Sequence, residues 1–135
     1  MKEAELQRAC LEMLQASRVG VFWRQNTGAV KIQGAGRKRD RFVRFGVPGQ
    51  ADITGVVDGM RIEIEVKTPG GRLRPSQVEF QDLMVENGAL FYVVDALALK
   101  AGQKPRADRW TVREVIEDLK IRRSRINGGH ICESF

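Results

Sequence analysis

Residues 51–67, ADITGVVDGMRIEIEVK, decide the fold of this chain. The runs 51–57 and 61–67 have the apolar, β-branched composition of strands, and the Asp58-Gly59 pair between them is a strong hairpin signal. Side chains in the second run alternate between apolar and charged, so one side of that strand is predicted to be charged. The residues of the charged side are Arg61, Glu63, Glu65 and Lys67.

Helices and further strands are predicted on both sides of the hairpin. Apolar residues at three- and four-residue spacing indicate a helix over 3–17, with Cys10 as a small core residue rather than a reactive one. Pro75 suits the first turn of a second helix, and Thr111 to Glu114 has the capping-box pattern of a last one. The remaining predictions are strands at 21–23, 41–45 and 89–94, a loop or irregular hairpin over 26–40, the second helix ending near Asn87 with Gly88 as its cap, a last helix over about 110–125, and a frayed end over 126–135.

The order helix, strands, hairpin, helix, strand, helix predicts one α/β domain with a mixed sheet. The chain has 135 residues, of which 42% are hydrophobic and 30% charged, a balance typical of a globular domain. Its formal net charge of +6 favours a polyanionic partner, because neutralised phosphates release their counterions.

Glu65 and Lys67 form the most informative local pattern. Strand residues two apart point to the same side, so the carboxylate and the ammonium share a face, and the hairpin turn brings Asp52 toward the same end. Two carboxylates can hold a hard divalent cation, and an adjacent lysine can position or help deprotonate an attacking water. These groups suit phosphodiester hydrolysis. The alternative is that Glu65 and Lys67 belong to an ordinary solvated strand face.

Three motifs together give a family resemblance. GVPGQADITG (46–55), IEIEVKTPGGRL (62–73) and PSQVEF (75–80), in this order, resemble the VRR-NUC branch of the PD-(D/E)xK nuclease superfamily, over about residues 3–94. The resemblance implies a restriction-endonuclease-like mixed β-sheet flanked by α-helices, a requirement for Mg²⁺ or Mn²⁺, and hydrolysis of DNA strands.

The resemblance also implies roles for particular residues. Asp52, Glu65 and the backbone carbonyl of Val66 would be metal ligands, Lys67 the catalytic lysine, and Gln77 a glutamine near the metal. Three residues separate Pro48 from Asp52 where the superfamily name has Pro and Asp adjacent, which we interpret as a lengthened turn; Asp58, in the hairpin turn, is a poor substitute.

An acidic residue on the first helix is also expected from the family. Glu3 and Glu5 compete for this role, and helical geometry favours Glu3, which lies within the apolar stripe while Glu5 points nearly opposite. Glu3 could equally cap the helix, with its carboxylate at the positive end of the helix dipole. The same geometry turns Gln77 toward the sheet with Phe80 and leaves Val78 outside, although Gln77 could also serve backbone groups of its own first turn.

Basic residues of the 26–44 region and of the turn after Lys67 are the predicted DNA-backbone contacts. A second basic cluster, at the end of the last helix, is better explained by the helix dipole. The predicted contacts are Lys31, Arg37, Lys38, Arg39, Arg41, Arg44, Arg72 and Arg74.

The sequence begins without an apolar signal segment and has two cysteines, which favours a cytoplasmic protein, bacterial or phage-encoded in a host cell, without disulfides. Stand-alone members of the VRR-NUC branch resemble four-way-junction resolvases, so the resemblance implies a homodimer that cuts branched DNA. ATP-driven translocation would need another protein, such as a helicase. The competing hypotheses are a flap, nicking or restriction-type nuclease, and a DNA-binding module that has lost its chemistry.

Overall fold

The computed structural model describes residues 2–25, 28–96 and 108–133, and within them three helices accompany a five-stranded sheet and a separate two-stranded hairpin. The helices are α1 (Glu3–Ser17), α2 (Pro75–Glu86) and α3 (Val112–Glu133). The strands are β1 (Val21–Arg24), β2 (Gly28–Ile32), β3 (Arg41–Phe45), β4 (Ile53–Val57), β5 (Met60–Val66), β6 (Leu90–Ala96) and β7 (Trp110–Thr111).

The five-stranded sheet is mixed, as predicted, and has β5 at its centre. Its strand order is β1-β4-β5-β6-β7, with antiparallel pairing from β1 to β5 and parallel pairing from β5 to β7. Ile53 pairs with Ile64, so Asp52, one residue before β4, stands opposite Glu65. Asp58 and Gly59 both have positive φ, of 44° and 81°, which is the backbone that a two-residue hairpin turn requires. The predicted hairpin is therefore confirmed.

Both faces of the sheet are covered at β5. The apolar face packs against buried residues of α1 and α3, among them Leu14 and Leu119. On the other face, Phe80 of α2 meets Phe91 of β6 edge to face, with ring centroids 6.4 Å apart. From Glu63 onward the charged side of β5 consequently lies inside the protein: Glu63, Glu65 and Lys67 are 0%, 1% and 8% exposed, while Arg61 is exposed. The interpretation of this side as an ordinary solvated face is wrong, because the sheet has helices on both faces.

Other details differ from the sequence prediction or refine it. The irregular segment before β4 is an antiparallel hairpin, β2 with β3, and the two-residue strand β7 was not predicted. The last helix does not end near residue 125 but continues to Glu133, because the Lys-, Arg- and Ile-rich residues 120–126 are compatible with helix and extend it. Cys10 is fully buried, as expected. The side chains of His130 and Cys132 lie outside the part that the structure describes.

Within the described residues, no helix is both long enough and apolar enough to cross a membrane.

Candidate metal centre and active site

Asp52 is held by the turn that precedes it and by the two strands beside it. Its backbone carbonyl accepts a hydrogen bond from Gln25 N (2.8 Å), and its Oδ2 accepts one from Val66 N (2.8 Å). Gly49, with φ of +75°, lies so close to the first turn of α2 that an added Cβ would be 2.0 Å from the Ser76 carbonyl oxygen. The lengthened turn between Pro48 and Asp52 thus packs against α2, and it leaves Asp52 opposite Glu65 as expected.

Glu65 is the most deeply buried acid of the site. Its Oε1 accepts a hydrogen bond from Gln77 Nε2 (2.9 Å) and lies 3.9 Å from Lys67 Nζ. Its Oε2 is buried and has no hydrogen-bond partner among the described residues. Burial, followed by the negative charges of Asp52 and Glu3, raises the pKa of Glu65 to about 9, although the positive charge of Lys67 opposes this rise.

Glu3 joins the two other carboxylates from the start of α1. One carboxylate oxygen from each of Glu3, Asp52 and Glu65 lies within 4.8 Å of the other two. Glu5 takes the capping position instead, since its Oε2 accepts a hydrogen bond from Lys2 N (3.2 Å). The choice of Glu3 over Glu5, made from helical geometry, therefore agrees with this arrangement.

Gln77 connects the helix α2 to the site through both ends of its amide. Its Oε1 accepts a hydrogen bond from Arg74 N (2.8 Å) at the start of α2, while its Nε2 donates to Glu65. The sequence left two roles open for Gln77, a hydrogen bond in the first turn of α2 and a contact in the site. In the structure the side chain makes both contacts. Gln77 and Phe80 are buried and Val78 is 41% exposed, as predicted.

The carboxylate cluster has the chemistry of a divalent-cation site. Three acidic oxygens close together repel one another, and an added cation would relieve this repulsion. The partnerless Oε2 of Glu65 is a buried acceptor that a cation would also satisfy, since a polar atom left unpaired in the interior is costly. Hard oxygen ligands of this kind suit Mg²⁺ or Mn²⁺. The residues present therefore fit the metal that the sequence predicts.

One buried residue beside the site was missed in the sequence. Arg109 is 9% exposed, and its Nη2 donates a hydrogen bond to the Gly71 carbonyl (2.9 Å) in the turn that follows Lys67. This contact joins residues 38 positions apart, and no local pattern signals it.

The predicted DNA-contacting residues lie in two places. Arg72 and Arg74 are exposed in the segment between Lys67 and α2. Five others are exposed on the β2–β3 hairpin: Lys31, Arg37, Lys38, Arg39 and Arg41. The side chain of Arg44 lies outside the described part, as do Asn26 and Thr27. The carbonyl of Val66 as a metal ligand stays a prediction, and the N–H of the same residue is the one bound to Asp52.

Comparison with known proteins gives a structural likeness and no family match. No family model and no curated protein matches the chain. A solved structure described as "VRR_NUC domain" is similar to it, with 19% sequence identity over 69% of this chain and 83% of that one and a TM-score of 0.46.

Proposed function

We propose that this chain is a nuclease of the VRR-NUC type, a DNA endonuclease that requires Mg²⁺ or Mn²⁺. The observation that carries the proposal is the convergence of Glu3, Asp52 and Glu65 beside the largely buried Lys67. Within the part of the chain that the structure describes, Oε2 of Glu65 has no hydrogen-bond partner. Carboxylates that converge on a buried glutamate, with a lysine beside it, are costly to a fold and suit phosphodiester hydrolysis.

Glu3, Asp52 and Glu65 would hold the ion, with the Val66 carbonyl as a further ligand. The bound metal would supply a Lewis acid that polarises the phosphate and stabilises its developing charge. Lys67 has its ammonium 3.9 Å from Glu65, where it can orient a water and take part in moving its proton. Gln77 keeps one oxygen of Glu65 in place and so acts as a positioning residue.

DNA is the proposed substrate because the chain is basic and its exposed cations lie on both sides of Asp52 and Lys67 in sequence. Arg72 and Arg74 would contact phosphates near the cut, and the hairpin residues would contact the backbone farther away. Branched DNA such as a four-way junction, cut by a homodimer, remains our proposal from the family resemblance. The alternative is a flap, nicking or restriction-type nuclease, in which the same residues would cut DNA of another shape.

The test is cleavage of labelled four-way junction, flap, fork and plain duplex DNA with Mg²⁺, Mn²⁺ or EDTA. We expect metal-dependent cutting that Lys67→Ala lowers by roughly 10²- to 10⁴-fold, the usual contribution of a positioned proton-transfer group. Lys120→Ala is the matched control, since this lysine is exposed on α3 and pairs only with Glu117 among the contacts described.

The outcomes separate the hypotheses. Cutting that survives EDTA or Lys67→Ala would contradict the proposed mechanism. Binding of DNA without cutting of any substrate would leave a DNA-binding module. The preferred substrate distinguishes a junction resolvase from a flap nuclease, and light scattering of the purified protein with and without junction DNA tests the dimer.

A further inference from the structure

The loop between β2 and β3 encloses a cavity with basic walls. The cavity has a volume of about 270 Å³, roughly nine times the share of one water in the liquid. That is enough for a phosphodiester group with part of its sugar. The residues around it are Ile32, Gln33, Gly34, Ala35, Lys38, Arg39 and Arg41.

The one acidic residue of this loop is already neutralised. Asp40 Oδ2 lies 3.3 Å from Lys31 Nζ, and its Oδ1 accepts a hydrogen bond from Gly34 N (2.9 Å). Among the ion pairs of the described residues, none involves Lys38, Arg39 or Arg41. The three cations that line the cavity therefore remain available to an anion.

Backbone contacts give the loop a defined shape. Lys38 N donates to the Ala35 carbonyl (3.2 Å), and Gly36 takes the left-handed conformation with φ of +65°. Gly34 lies so close to the other side of the same loop that an added Cβ would be 1.9 Å from the Lys38 carbonyl oxygen. Only glycine allows this approach, so the cavity depends on residue 34 as well as on the cations.

The hairpin is inserted at the end of the sheet that carries Asp52. β1 ends at Arg24 and β4 begins at Ile53, and their pairing continues through the bond from Gln25 N to the Asp52 carbonyl. The chain leaves this pair, forms β2, the loop and β3, and returns to it. A five-residue strand spans about 17 Å, which is about five base pairs of B-DNA.

We propose that the β2–β3 loop is a phosphate-binding pocket that grips the DNA backbone at a second point, away from the bond to be cut. This inference rests on the proposed function only for the identity of the polyanion. The pocket supplies affinity and no chemistry, and it holds phosphate rather than reading bases. With a second phosphate contact, binding depends on the course of the DNA backbone between the two contacts, so the protein can distinguish DNA shapes.

The experiment measures binding of a fluorescein-labelled DNA duplex and four-way junction in EDTA, across a series of salt concentrations. Removing the three cations, by Lys38→Ala with Arg39→Ala and Arg41→Ala, is expected to weaken binding at least about tenfold and to lower the slope of log K against log salt by about one for each phosphate released. Arg113→Ala with Lys120→Ala and Arg125→Ala removes the same charge from α3 and should change binding much less.

The variant Gly34→Ala tests the shape of the pocket independently of its charge. This variant keeps every cation, yet the loop must open to admit the Cβ, so we expect weaker binding and a smaller salt slope than for the wild type. Its circular dichroism melting curve should stay close to that of the wild type, because the hairpin lies outside the main sheet.

The inference is overturned if Gly34→Ala binds DNA as the wild type does, or if the α3 triple variant loses as much affinity as the loop variant. Because no metal is present, these results do not depend on cleavage. Failure of the nuclease proposal would show instead as intact binding without metal-dependent cutting, so the two failures are distinguishable.

Discussion

The raised pKa of Glu65 gives a prediction for metal binding. The pKa is raised from 4.5 to about 9, so between these values the folded apo protein keeps a proton that the unfolded chain has lost. Stability without metal should therefore fall as pH rises through this window. A divalent ion needs the carboxylate, so its binding near neutral pH should release a proton from Glu65, and the release should diminish as the pH rises toward the raised pKa.

Isothermal titration of Mg²⁺ or Mn²⁺ in two buffers of different ionisation enthalpy measures this release. Glu12→Gln, a change of an exposed acid on α1, is the control and should leave it unchanged. Metal binding without proton uptake by the buffer near neutral pH would contradict the protonated state of Glu65.

Gln77→Ala should impair both the fold and the site. The substitution removes a hydrogen bond at the start of α2 and leaves Glu65 Oε1 without its donor in a buried position. We expect the free energy of unfolding to fall by about 1–3 kcal/mol and the cleavage rate at saturating DNA to fall as well. Gln81→Ala, on the same helix and partly exposed, should cost less than about 0.5 kcal/mol in urea unfolding. Equal losses in the two variants would contradict the positioning role.

The sequence was enough to propose the residues of the candidate site, but not to predict their burial and contacts. The alternation of a strand puts Glu65 and Lys67 on one side, and the turn at Asp58-Gly59 fixes the register that brings Asp52 opposite Glu65. Periodicity cannot say whether that side faces water, because burial depends on α2, which lies farther along the chain. The contact of Arg109 with Gly71 depends on tertiary folding in the same way.

At the scale of elements, the turn before β4 can be tested through Gly49. Gly49 and Gly59 both have positive φ, of 75° and 81°, so alanine at either should cost about 1–2 kcal/mol through backbone strain. An added Cβ at Gly49 would also collide with the Ser76 carbonyl, whereas a Cβ at Gly59 would have no atom of another described residue, its chain neighbours apart, within 4 Å. Gly49→Ala should therefore lose at least about 1 kcal/mol more in urea unfolding than Gly59→Ala, through added overpacking.

Because Asp52 follows this turn, Gly49→Ala should also weaken metal binding, and Gly59→Ala should not. Equal stability and equal metal affinity in the two variants would show that the packing of this turn against α2 does not hold Asp52 in position.

Elements with strong local signals were predicted well, and those without were missed. The helix α1 has the predicted bounds because its apolar stripe is regular. The helix α3 begins at Val112, where Thr111 N donates a hydrogen bond to Glu114 Oε1 and Glu114 N donates one to Thr111 Oγ1. The strand β7 has two residues and is specified by its neighbour β6, not by its own sequence. The end of α3 was placed too early because no proline or capping signal at residue 125 stops the helix.

Across the whole molecule, the site joins parts that are far apart in sequence. Glu3 comes from the first turn of α1, Asp52 from the turn before β4, and Glu65 from the central strand. A metal held by all three would link α1 to both strands and would bind the folded state alone. At a metal concentration about 100 times its dissociation constant, this linkage adds about 2.7 kcal/mol to the free energy of unfolding. For a domain of this size, that raises the melting temperature by roughly 10 °C.

Thermal melting with Mg²⁺, Mn²⁺ or EDTA checks this expectation. Asp52→Asn should abolish the metal-dependent rise, since a carboxylate oxygen of Asp52 lies near those of both other acids and Asp52 Oδ2 accepts a hydrogen bond from Val66 N. Glu3→Gln should reduce the rise without abolishing it, because Glu3 is exposed at the end of its helix and the two strand-borne acids remain. Glu12→Gln on the same helix should retain the full rise. If the metal-dependent rise in melting temperature persists in Asp52→Asn, the ion binds elsewhere. If the rise is unaffected by Glu3→Gln, α1 contributes no ligand to the metal.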